Sequence, residues 1–594
     1  MKPTRQPLAG PSRWQAMTDV TIPAIGPTTG PTTPPATTLV ALFALLATSA
    51  LPAAAQHAPS ADVLARTDSI FARMDTPTTP GCAVSVMQQG AIVFERGYGM
   101  ANLEYGIPIT PQSVFHVASV SKHFTAFAIE LLVNEGRVSW DDDIREYVPE
   151  VPDFGQPITL RHLVHHVSGI RDQWNLLSMA GWRWEADVVT QKDVLDITSR
   201  QTALNFAPGE RYLYSNTGYT LLAVVVERVT GQSLREFAQQ RIFEPLGMER
   251  THFHDDHEMI VPNRAFAYAP DSTGLHGLKQ SIPDFDVVGA TSLFTTVHDL
   301  AAWDRNFHTG RVGGRDALAR MEQRFVLNSG DTIAYAHGLS IGERRGLRTV
   351  GHGGADAGYR SHFMRFPEQD WSVAVLCNFP SSNPGALANR VADVWLEDAY
   401  TEPTQVAATN GAEHDRWVDV PRRTLASLTG VYRDADGFDV RRIELHGDTL
   451  KAMIGPGYPL RPLGADRYQM VGPGAILVMR APRDGEPATM TTADDPDDVY
   501  LQLPAWNPSA DDLAAFAGLY YSEELGTEYR FVIDDGHLAF RHRKLPDGVL
   551  EPTFENGFTL RGRSLIFERG ADGRVVGFRM SDGRVYDVRF ERVQ

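Results

Sequence analysis

The sequence predicts an α+β region of mixed helices and strands, followed by two small antiparallel β-barrels. Up to about Ala399, helical apolar patterns alternate with short β-type runs, whereas the tail carries short alternating strands separated by Asp-Gly and Gly-Asp turns. The tail also repeats itself. The pattern Leu-Ala-x-Leu-x-Gly-x-Tyr at 425–432 recurs as Leu-Ala-x-Phe-x-Gly-x-Tyr at 513–520, an offset of 88 residues. This repetition predicts two copies of one barrel unit.

Composition limits the classes of protein to consider. The chain has 594 residues, with 55 Lys and Arg against 73 Asp and Glu, a formal net charge of −18. An acidic surface argues against a nucleic-acid or anionic-membrane partner, because binding to either needs a basic footprint. With 43% hydrophobic and 22% charged residues, the chain resembles an ordinary globular protein of several domains.

Residues 1–55 are predicted to be a signal peptide. The apolar run Leu39–Ala50 is too short to cross a bilayer and is followed by small residues, as at a signal peptidase site. This predicts a periplasmic or secreted protein with no transmembrane span after cleavage. No Lys or Arg lies between Arg13 and Arg66, so the usual basic flank is missing. A membrane-tethered form, or a start codon assigned upstream of the true one, is therefore the alternative.

The remaining chain divides by pattern. A mixed α+β domain is predicted at 60–400, and residues 401–420 lack periodicity and are predicted to be a linker. The two barrels follow at 421–505 and 510–594. Only two cysteines are present, which excludes a disulfide-framework scaffold and a cysteine-based zinc cluster.

Ser119-Val120-Ser121-Lys122 is the one S-x-x-K motif in the chain. An apolar stripe at helical spacing follows it, and Asn134-Glu135-Gly136 provides a stop. Ser119 and Lys122 are therefore predicted to lie one turn apart on the same helix face, with Ser119 near the helix N-terminus. A serine hydroxyl becomes a nucleophile when a nearby base takes its proton.

Two further motifs are also unique in the chain. Tyr214-Ser215-Asn216 lies between a predicted turn at 207–210 and an apolar helix. His352-Gly353-Gly354 lies between two β-type runs, where paired glycines let a substrate backbone approach closely. Each triplet alone is a weak signal, but coincidence is a weak explanation for all three in one chain.

With these motifs the chain resembles the serine β-lactamase and penicillin-binding-protein superfamily, in particular its class C-like branch of esterases and D-aminopeptidases. The resemblance covers about residues 60–395 and extends to 115–122, 162–169, 245–248 and 289–303. It implies a β-lactamase-like domain, with an antiparallel sheet flanked by helices plus an all-helical part. The tail resembles the two small barrels that follow this domain in bacterial D-aminopeptidases.

The resemblance also implies a role for each motif residue. Ser119 would be the acylated nucleophile, Lys122 its activating partner, and Tyr214 the general base and acid. Asn216 would hydrogen-bond the substrate and Lys122, the N–H groups of Ser119 and Ala355 would form the oxyanion hole, and His352-Gly353-Gly354 would occupy the family's Lys-Thr-Gly strand. Independently of the family, burial favours neutral lysine and a neighbouring ammonium favours tyrosinate, so the pair should titrate well below 10. No metal or organic cofactor is needed.

The third motif departs from the family. Lactamases and transpeptidases usually place a permanently charged lysine where this chain has His352, which is mostly neutral at pH 7. Recognition of a substrate carboxylate at this position should be weaker, which favours ester, amide or amino-terminal D-residue substrates. The partner is then a small-molecule or peptide substrate. A β-lactamase or D-Ala-D-Ala carboxypeptidase proper is the alternative enzyme.

Three points stay open at this level. The barrels are favoured as a structural or docking appendage, but a barrel loop that reaches the cleft and restricts substrate size is the second interpretation. A non-catalytic sensor, or a binding protein that uses the barrels, is the alternative from another class. The loops 172–186 and 268–284 are expected to line the cleft.

Two groups of residues, a histidine cluster and the cysteine pair, each have two possible interpretations. His162, His165 and His166 have a spacing that could suggest a metal, but packing beneath the site is favoured because no acidic or cysteine partner lies at zinc-like spacing. In the family sheet the first and last strands are antiparallel neighbours. Cys82 and Cys377 could therefore face each other, with two buried free thiols favoured and a disulfide kept open by export.

Overall fold

The computed structural model describes residues 59–402 except 185, and residues 418–593 except 436, 438, 454–456, 465, 472–474, 484 and 494–497. The predicted signal peptide and most of the predicted linker lie outside the described residues. Among the helices that are described, none combines the length and apolar character needed to cross a membrane.

A six-stranded antiparallel sheet, here called the central sheet, organises residues 59–402. The strand Cys82–Gln88 is buried along almost its whole length, because helices cover both faces of the sheet there. In spatial order the strands are Ser340–Arg344, Leu347–Asp356, Tyr359–Phe366, Trp371–Cys377, Cys82–Gln88 and Ala91–Tyr98.

Helices cover the central sheet on both faces. Ala61–Phe71 and Pro384–Trp395 pack on one face, around an apolar cluster that includes Val84 and Val375. Val297–Thr309 and the helical part of the domain cover the other face. The helices of this region are Ala61–Phe71, Ser121–Asn134, Leu160–Val164, Gln173–Met179, Gln191–Ser199, Asn216–Thr230, Leu234–Ala238, Glu244–Leu246, Val297–Thr309, Gly314–Arg320 and Pro384–Trp395, with single turns at Ala118–Val120, Ile144–Glu146 and Gln239–Phe243.

Short strands connect these helices at the edges of the domain. They are Met100–Asn102, Ile107–Pro108, Phe115–His116, Val189–Thr190, His252–Phe253, Tyr268–Leu275, Leu278–Gln280, Phe285–Asp286 and Leu293–Thr295. The arrangement confirms the predicted α+β fold, with an antiparallel sheet flanked by helices and a separate helical part.

Cys82 and Cys377 form a disulfide, so the favoured expectation of two free thiols is wrong. The two residues are directly paired in register on neighbouring antiparallel strands, and both are fully buried. The bond joins the first and last strands of the domain, which are 295 residues apart in sequence. Sequence alone favoured the thiols because this register is a tertiary feature with no local signal.

The tail forms two antiparallel barrels, the first closed and the second nearly closed. Each begins with a short helix, Arg422–Ser427 and Ala510–Ala514. The repeat detected in sequence has a physical counterpart, because the hydroxyl of Tyr432 donates to the carbonyl of Leu428, and that of Tyr520 to the carbonyl of Phe516, each at 2.9 Å.

The strands of each barrel follow the chain. Those of the first barrel are Gly430–Arg433, Val440–His446, Thr449–Ala452, Tyr458–Gly464, Arg467–Met470, Ile476–Arg480, Thr489–Thr492 and Tyr500–Leu503. Those of the second are Gly518–Ser522, Thr527–Asp534, His537–Arg541, Gly548–Val549, Glu551–Pro552, Gly557–Leu560, Arg563–Arg569, Val575–Asp582 and Val585–Arg592.

The second barrel packs against the helical part of the first domain. Leu176 and Met179 of the helix Gln173–Met179 belong to the same buried apolar cluster as the barrel core. The hydroxyl of Tyr529 donates to the carbonyl of Met179 at 2.7 Å. This contact brings the barrel beside the loop that begins at Asp172.

Candidate active site

Ser119 lies in the single turn Ala118–Val120, directly before the helix Ser121–Asn134. Ala118 has φ +47°, a left-handed conformation that non-glycine residues rarely adopt and that the surroundings must hold in place. Ser121 holds it, because its hydroxyl donates to the carbonyl of Ala118 at 2.5 Å and accepts from the N–H of Leu293 at 2.9 Å. The side chain of Ser119 is half-buried and lines an open cleft.

Lys122 is fully buried one turn after Ser119. Its ammonium nitrogen lies 3.2 Å from the hydroxyl of Ser119, 2.9 Å from Oδ1 of Asn216 and 2.7 Å from the carbonyl of Ala290. Burial lowers the pKa of Lys122 well below its ordinary value, and the nearby carboxylate of Asp172 only partly opposes this. In its neutral form, which burial favours, Lys122 can accept a proton from Ser119.

Tyr214 is brought to the same place from a distant part of the chain. The Nζ of Lys122 lies 4.8 Å from the centroid of its ring. Burial raises the pKa of Tyr214 above its ordinary value, although the neighbouring Ser119 hydroxyl and Arg584 guanidinium favour the tyrosinate. Within the described part of the chain, its buried hydroxyl forms no hydrogen bond of ordinary geometry. Tyr214 is thus held as a neutral phenol that can give up a proton.

Asn216 is oriented by a residue that the sequence did not single out. Asp172, whose side chain is fully buried, accepts from both the backbone N–H and the side-chain Nδ2 of Asn216 at 2.8 Å. Because a carboxylate only accepts, the NH₂ group of Asn216 must face Asp172 and its Oδ1 must face Lys122. A lone aspartate in a loop carries no local sequence signal for this function.

His352 lies on the central-sheet strand Leu347–Asp356, and its ring is neutral. Its Nδ1 is 2.5 Å from the carbonyl of Gly353, which can only accept, and its Nε2 is 2.9 Å from the hydroxyl of Tyr335. Nδ1 therefore donates, and Nε2 of the neutral ring can accept from the Tyr335 hydroxyl. Burial lowers the pKa of His352 to about 3, so no positive charge stands here at neutral pH.

The two glycines beside His352 differ in their surroundings. A Cβ on Gly354 would lie 2.3 Å from the carbonyl oxygen of Val117 and 3.1 Å from the backbone nitrogen of Ser119. A Cβ on Gly353 would meet nothing closer than 3.4 Å. The strand therefore packs directly on the Ser119 turn through Gly354, and Ala355 follows as a lining residue of the cleft.

The cleft beside Ser119 has a volume of about 1010 Å³ and contains all the residues predicted for the site except Lys122, which lies beneath its floor. Both predicted segments line it, but neither is a loop throughout, because Trp174 lies on the helix Gln173–Met179 and residues 268–280 include two strands. The sequence did not single out the aromatic residues of the wall. The segments contribute Trp174, Trp184, Ile282, Pro283 and Asp284, and Phe285 follows them.

A hairpin of the second barrel also lines the cleft, which favours the second interpretation of the barrels over that of an appendage. Arg584 lies in the turn between the strands Val575–Asp582 and Val585–Arg592. Its Cζ lies 4.8 Å from the ring centroid of Tyr214, and its Nη1 lies 3.6 Å from Oδ2 of Asp172. The barrel thus places a guanidinium beside the candidate catalytic phenol.

The three clustered histidines have structural partners. His165 contacts the carbonyls of Arg161 and Gln323, while His162 accepts from the backbone N–H of Thr159. His166 accepts from the N–H of Ser215 at 3.1 Å, and its ring centroid lies 4.1 Å from that of Tyr214. His166 therefore supports Tyr214 by packing.

One group of described residues, none of which lines the cleft, brings three possible metal ligands together: Asp256, His257 and Asp286. His257 and Asp286 already hydrogen-bond each other at 2.9 Å, and Asp256 is exposed. Side-chain hydrogen bonding accounts for this group, and the residues at Ser119 offer no comparable ligand set.

Comparison with known proteins gives a consistent result. The family profile described as Beta-lactamase matches residues 67–394. D-aminopeptidase from Gluconobacter oxydans (strain 621H) is 26% identical over 482 residues, which cover 77% of this chain and 84% of the relative. D-aminopeptidase from Brucella ovis is 26% identical over 529 residues, covering 86% and 96%.

Among solved structures, the octameric penicillin-binding protein homologue from Pyrococcus abyssi shares the fold. It has a TM-score of 0.53 and 24% sequence identity, and the match covers 81% of this chain and 99% of that one.

Proposed function

The chain belongs to the Beta-lactamase family and is a serine hydrolase, and on that premise we propose that it acts through an acyl-enzyme. It cleaves amide and ester bonds, and its substrates are peptides that contain D-amino acids. The names of the D-aminopeptidase relatives support the peptide substrates. The observation that carries the proposal is the 3.2 Å contact between the hydroxyl of Ser119 and the buried amine of Lys122, at the floor of an open cleft.

The chemistry follows from the positions of the protons. Neutral Lys122 takes the proton of the Ser119 hydroxyl as the oxygen attacks the carbonyl carbon of the substrate. The negative charge that develops on the carbonyl oxygen is stabilised by the backbone N–H groups of Ser119 and Ala355. Tyr214 then gives its proton to the leaving group, which departs and leaves the acyl group bonded to Ser119.

Deacylation reverses these proton transfers. A water molecule attacks the acyl-enzyme while its proton passes to the Tyr214–Lys122 pair, and the Ser119 oxygen recovers a proton as the product acid leaves. Asn216, held by Asp172, keeps the amine of Lys122 directed at Ser119 throughout. The catalytic assignments of these residues are part of the proposal.

We propose that the enzyme is periplasmic or secreted. The disulfide between Cys82 and Cys377 supports this, because such bonds persist mainly in oxidising compartments. N-terminal sequencing of the mature protein from cell fractions tests it. A protein that starts before residue 39 and is found in the cytoplasm would contradict export.

The proposed function is tested with a panel of substrates on wild type and Ser119→Ala. The panel holds nitrophenyl esters, D- and L-aminoacyl anilides and a chromogenic cephalosporin. We expect hydrolysis of esters and D-aminoacyl anilides that falls about 10³-fold or more in the variant, with mass spectrometry locating a transient acyl group on the Ser119 peptide. Faster hydrolysis of the cephalosporin would instead identify a β-lactamase, and stable labelling without turnover a sensor.

A further inference from the structure

Arg584 is held at the cleft by its backbone rather than by its side chain. Its carbonyl accepts from Nδ2 of Asn205 at 2.9 Å, and the N–H of Tyr586 donates to Oδ1 of the same asparagine at 2.9 Å. Gly583 precedes it with φ +57°, which permits the tight turn. The hairpin is therefore anchored on the first domain through two backbone groups, the carbonyl of Arg584 and the N–H of Tyr586, and neither bond uses the Arg584 side chain.

The guanidinium of Arg584 has donors to spare. Its contact with Asp172, at 3.6 Å, is longer than a hydrogen bond, and the carboxylate oxygens of Asp172 are already occupied by N–H groups of Asn216 and Trp174. The Arg584 side chain is 43% exposed, donates no hydrogen bond to another described residue, and lines the cavity that holds Ser119. An arginine remains charged at any physiological pH.

Other charged groups in the cavity have hydrogen-bond or ion-pair partners or lie at its rim. Asp187 is paired with Arg183 at 3.0 Å and with Lys544 at 3.4 Å. Arg360 directs its Nη1 to two backbone carbonyls, those of Ala357 and Tyr359.

Two further carboxylates line the cavity. Asp356 accepts from Thr291 at 2.9 Å and contacts His116. Asp284 is exposed at the rim. Of the two arginines that line the cavity, Arg584 is therefore the one whose guanidinium donates no hydrogen bond to another described residue.

We propose that Arg584 binds a carboxylate of the substrate close to the scissile bond, so that the enzyme prefers anionic substrates to those with a free amine. This inference rests on the proposed function, which it deepens by naming the charge of the substrate. His352, being neutral, cannot supply this interaction from the central sheet. The barrel hairpin supplies it instead, and the ring centroid of Tyr214 lies 4.8 Å from both the Cζ of Arg584 and the Nζ of Lys122.

The experiment uses pairs of D-phenylalanine anilides that differ only in a carboxylate and its uncharged carboxamide. One pair carries the difference on the acyl side, as N-succinyl against N-succinamyl, and the other carries it on the aniline ring. D-phenylalanine anilide with a free amine completes the set. In at least one pair, we expect wild type to hydrolyse the carboxylate compound with a kcat/KM about tenfold higher than that of the carboxamide. A hydrogen bond to a charged group stabilises binding by about this factor. The ratio should fall as salt is added, because the site is partly exposed.

Variants assign the preference to one guanidinium. Arg584→Gln should bring the ratio to about one, Arg584→Lys should keep part of it, and Arg360→Gln should keep all of it. Because the readout is a ratio, a general loss of activity in Arg584→Gln does not alter it. Equal rates within both pairs, a preference for the free amine, or a preference that survives in Arg584→Gln would each overturn the inference.

Binding separates this inference from the proposed function. In Ser119→Ala, the fluorescence of Trp174 and Trp184 can be titrated with N-succinyl- and N-succinamyl-D-phenylalanine amide, without any turnover. About tenfold tighter binding of the carboxylate, lost on adding Arg584→Gln, supports Arg584 even if wild type hydrolyses no amide. Equal affinities refute Arg584 even if hydrolysis is fast.

Discussion

Burial decides the protonation of the two groups around Ser119. Lys122 and Tyr214 would both be unreactive at neutral pH in water, since each titrates near 10. Enclosing them together favours the neutral form of both, which gives a base in Lys122 and an acid in Tyr214. The sequence left open which of the two holds the proton; burial lowers the pKa of Lys122 as expected, but it raises the pKa of Tyr214, so the expected shift toward tyrosinate is not found.

This assignment predicts the pH dependence of the reaction. Lowering the pH protonates Lys122, which can then no longer accept the proton of Ser119, so kcat/KM should fall on the acid side and rise through a pKa well below the ordinary 10.5 of lysine. The measurement is kcat/KM for an uncharged ester across about pH 6 to pH 9. Lys122→Arg is the control, because its permanent charge should abolish activity at every pH. A flat wild-type profile would contradict Lys122 as the base.

Single-atom packing gives a second prediction. Gly354→Ala should lower stability by about 1–3 kcal/mol and greatly reduce kcat, because its Cβ would collide with the backbone of Val117 beside Ser119. Gly353→Ala, its neighbour, should leave the thermal unfolding temperature nearly unchanged, since its Cβ meets nothing closer than 3.4 Å. Equal unfolding temperatures for the two variants would show that the strand does not press on the Ser119 turn.

At the scale of elements, the central sheet and the helix Ser121–Asn134 together position Ser119, the proposed nucleophile. The helix could be predicted because its apolar stripe and its stop are local in sequence. The placement of the strand Leu347–Asp356 against it could not, since no local pattern reports which strand meets which helix. The resemblance of the motifs to a known family supplied that step. Ser121 fixes the turn before the helix, but it occupies an unspecified position of the S-x-x-K motif, so the motif gave no indication of this function.

The disulfide across the central sheet gives a prediction at this scale. Replacing both Cys82 and Cys377 by alanine should lower the free energy of unfolding by about 2–4 kcal/mol, because the closed loop restricts the unfolded chain. Denaturant unfolding of wild type and the double variant measures this. Ser119 should keep its reactivity in the folded variant, because both sulfur atoms lie outside the cleft. A double variant as stable as wild type would show that the bond is not formed in solution.

At the scale of the whole molecule, the second barrel is joined to the catalytic domain by a buried ion pair. Arg171 and Glu524 contact at 2.5 Å with side chains 1% and 6% exposed, and Thr202 also donates to the Glu524 carboxylate. Arg171 immediately precedes Asp172, so the same contact supports the residue that orients Asn216. The position of the barrel and the geometry of the site are thus coupled.

This coupling predicts that Glu524→Gln is costly. This substitution leaves the Arg171 charge buried without its partner, which should lower the free energy of unfolding by about 3–5 kcal/mol. The second barrel should then unfold before the rest of the molecule. Glu150→Gln is the matched control, because its pair with Arg228 is exposed and should contribute about 1 kcal/mol or less. Similar losses in the two variants would contradict a buried junction.

The part of the molecule that escaped prediction is the part built from distant contacts. Arg584 follows an Asp-Gly turn like several others in the barrels, and nothing in its neighbourhood distinguishes it. The residue that anchors it, Asn205, lies 379 positions earlier in the chain. Ser119 and Lys122, by contrast, need only one helical turn to meet.

The Arg584 hairpin has a consequence for how the molecule is made. During synthesis, Ser119, Lys122 and Tyr214 are added to the chain long before the turn that carries Arg584 and completes the cleft wall. A nascent chain can therefore assemble its reactive hydroxyl early, while the group that would discriminate among substrates arrives almost last. The charge preference that we propose would therefore be acquired late in synthesis, and a molecule cut short before residue 584 would lack it.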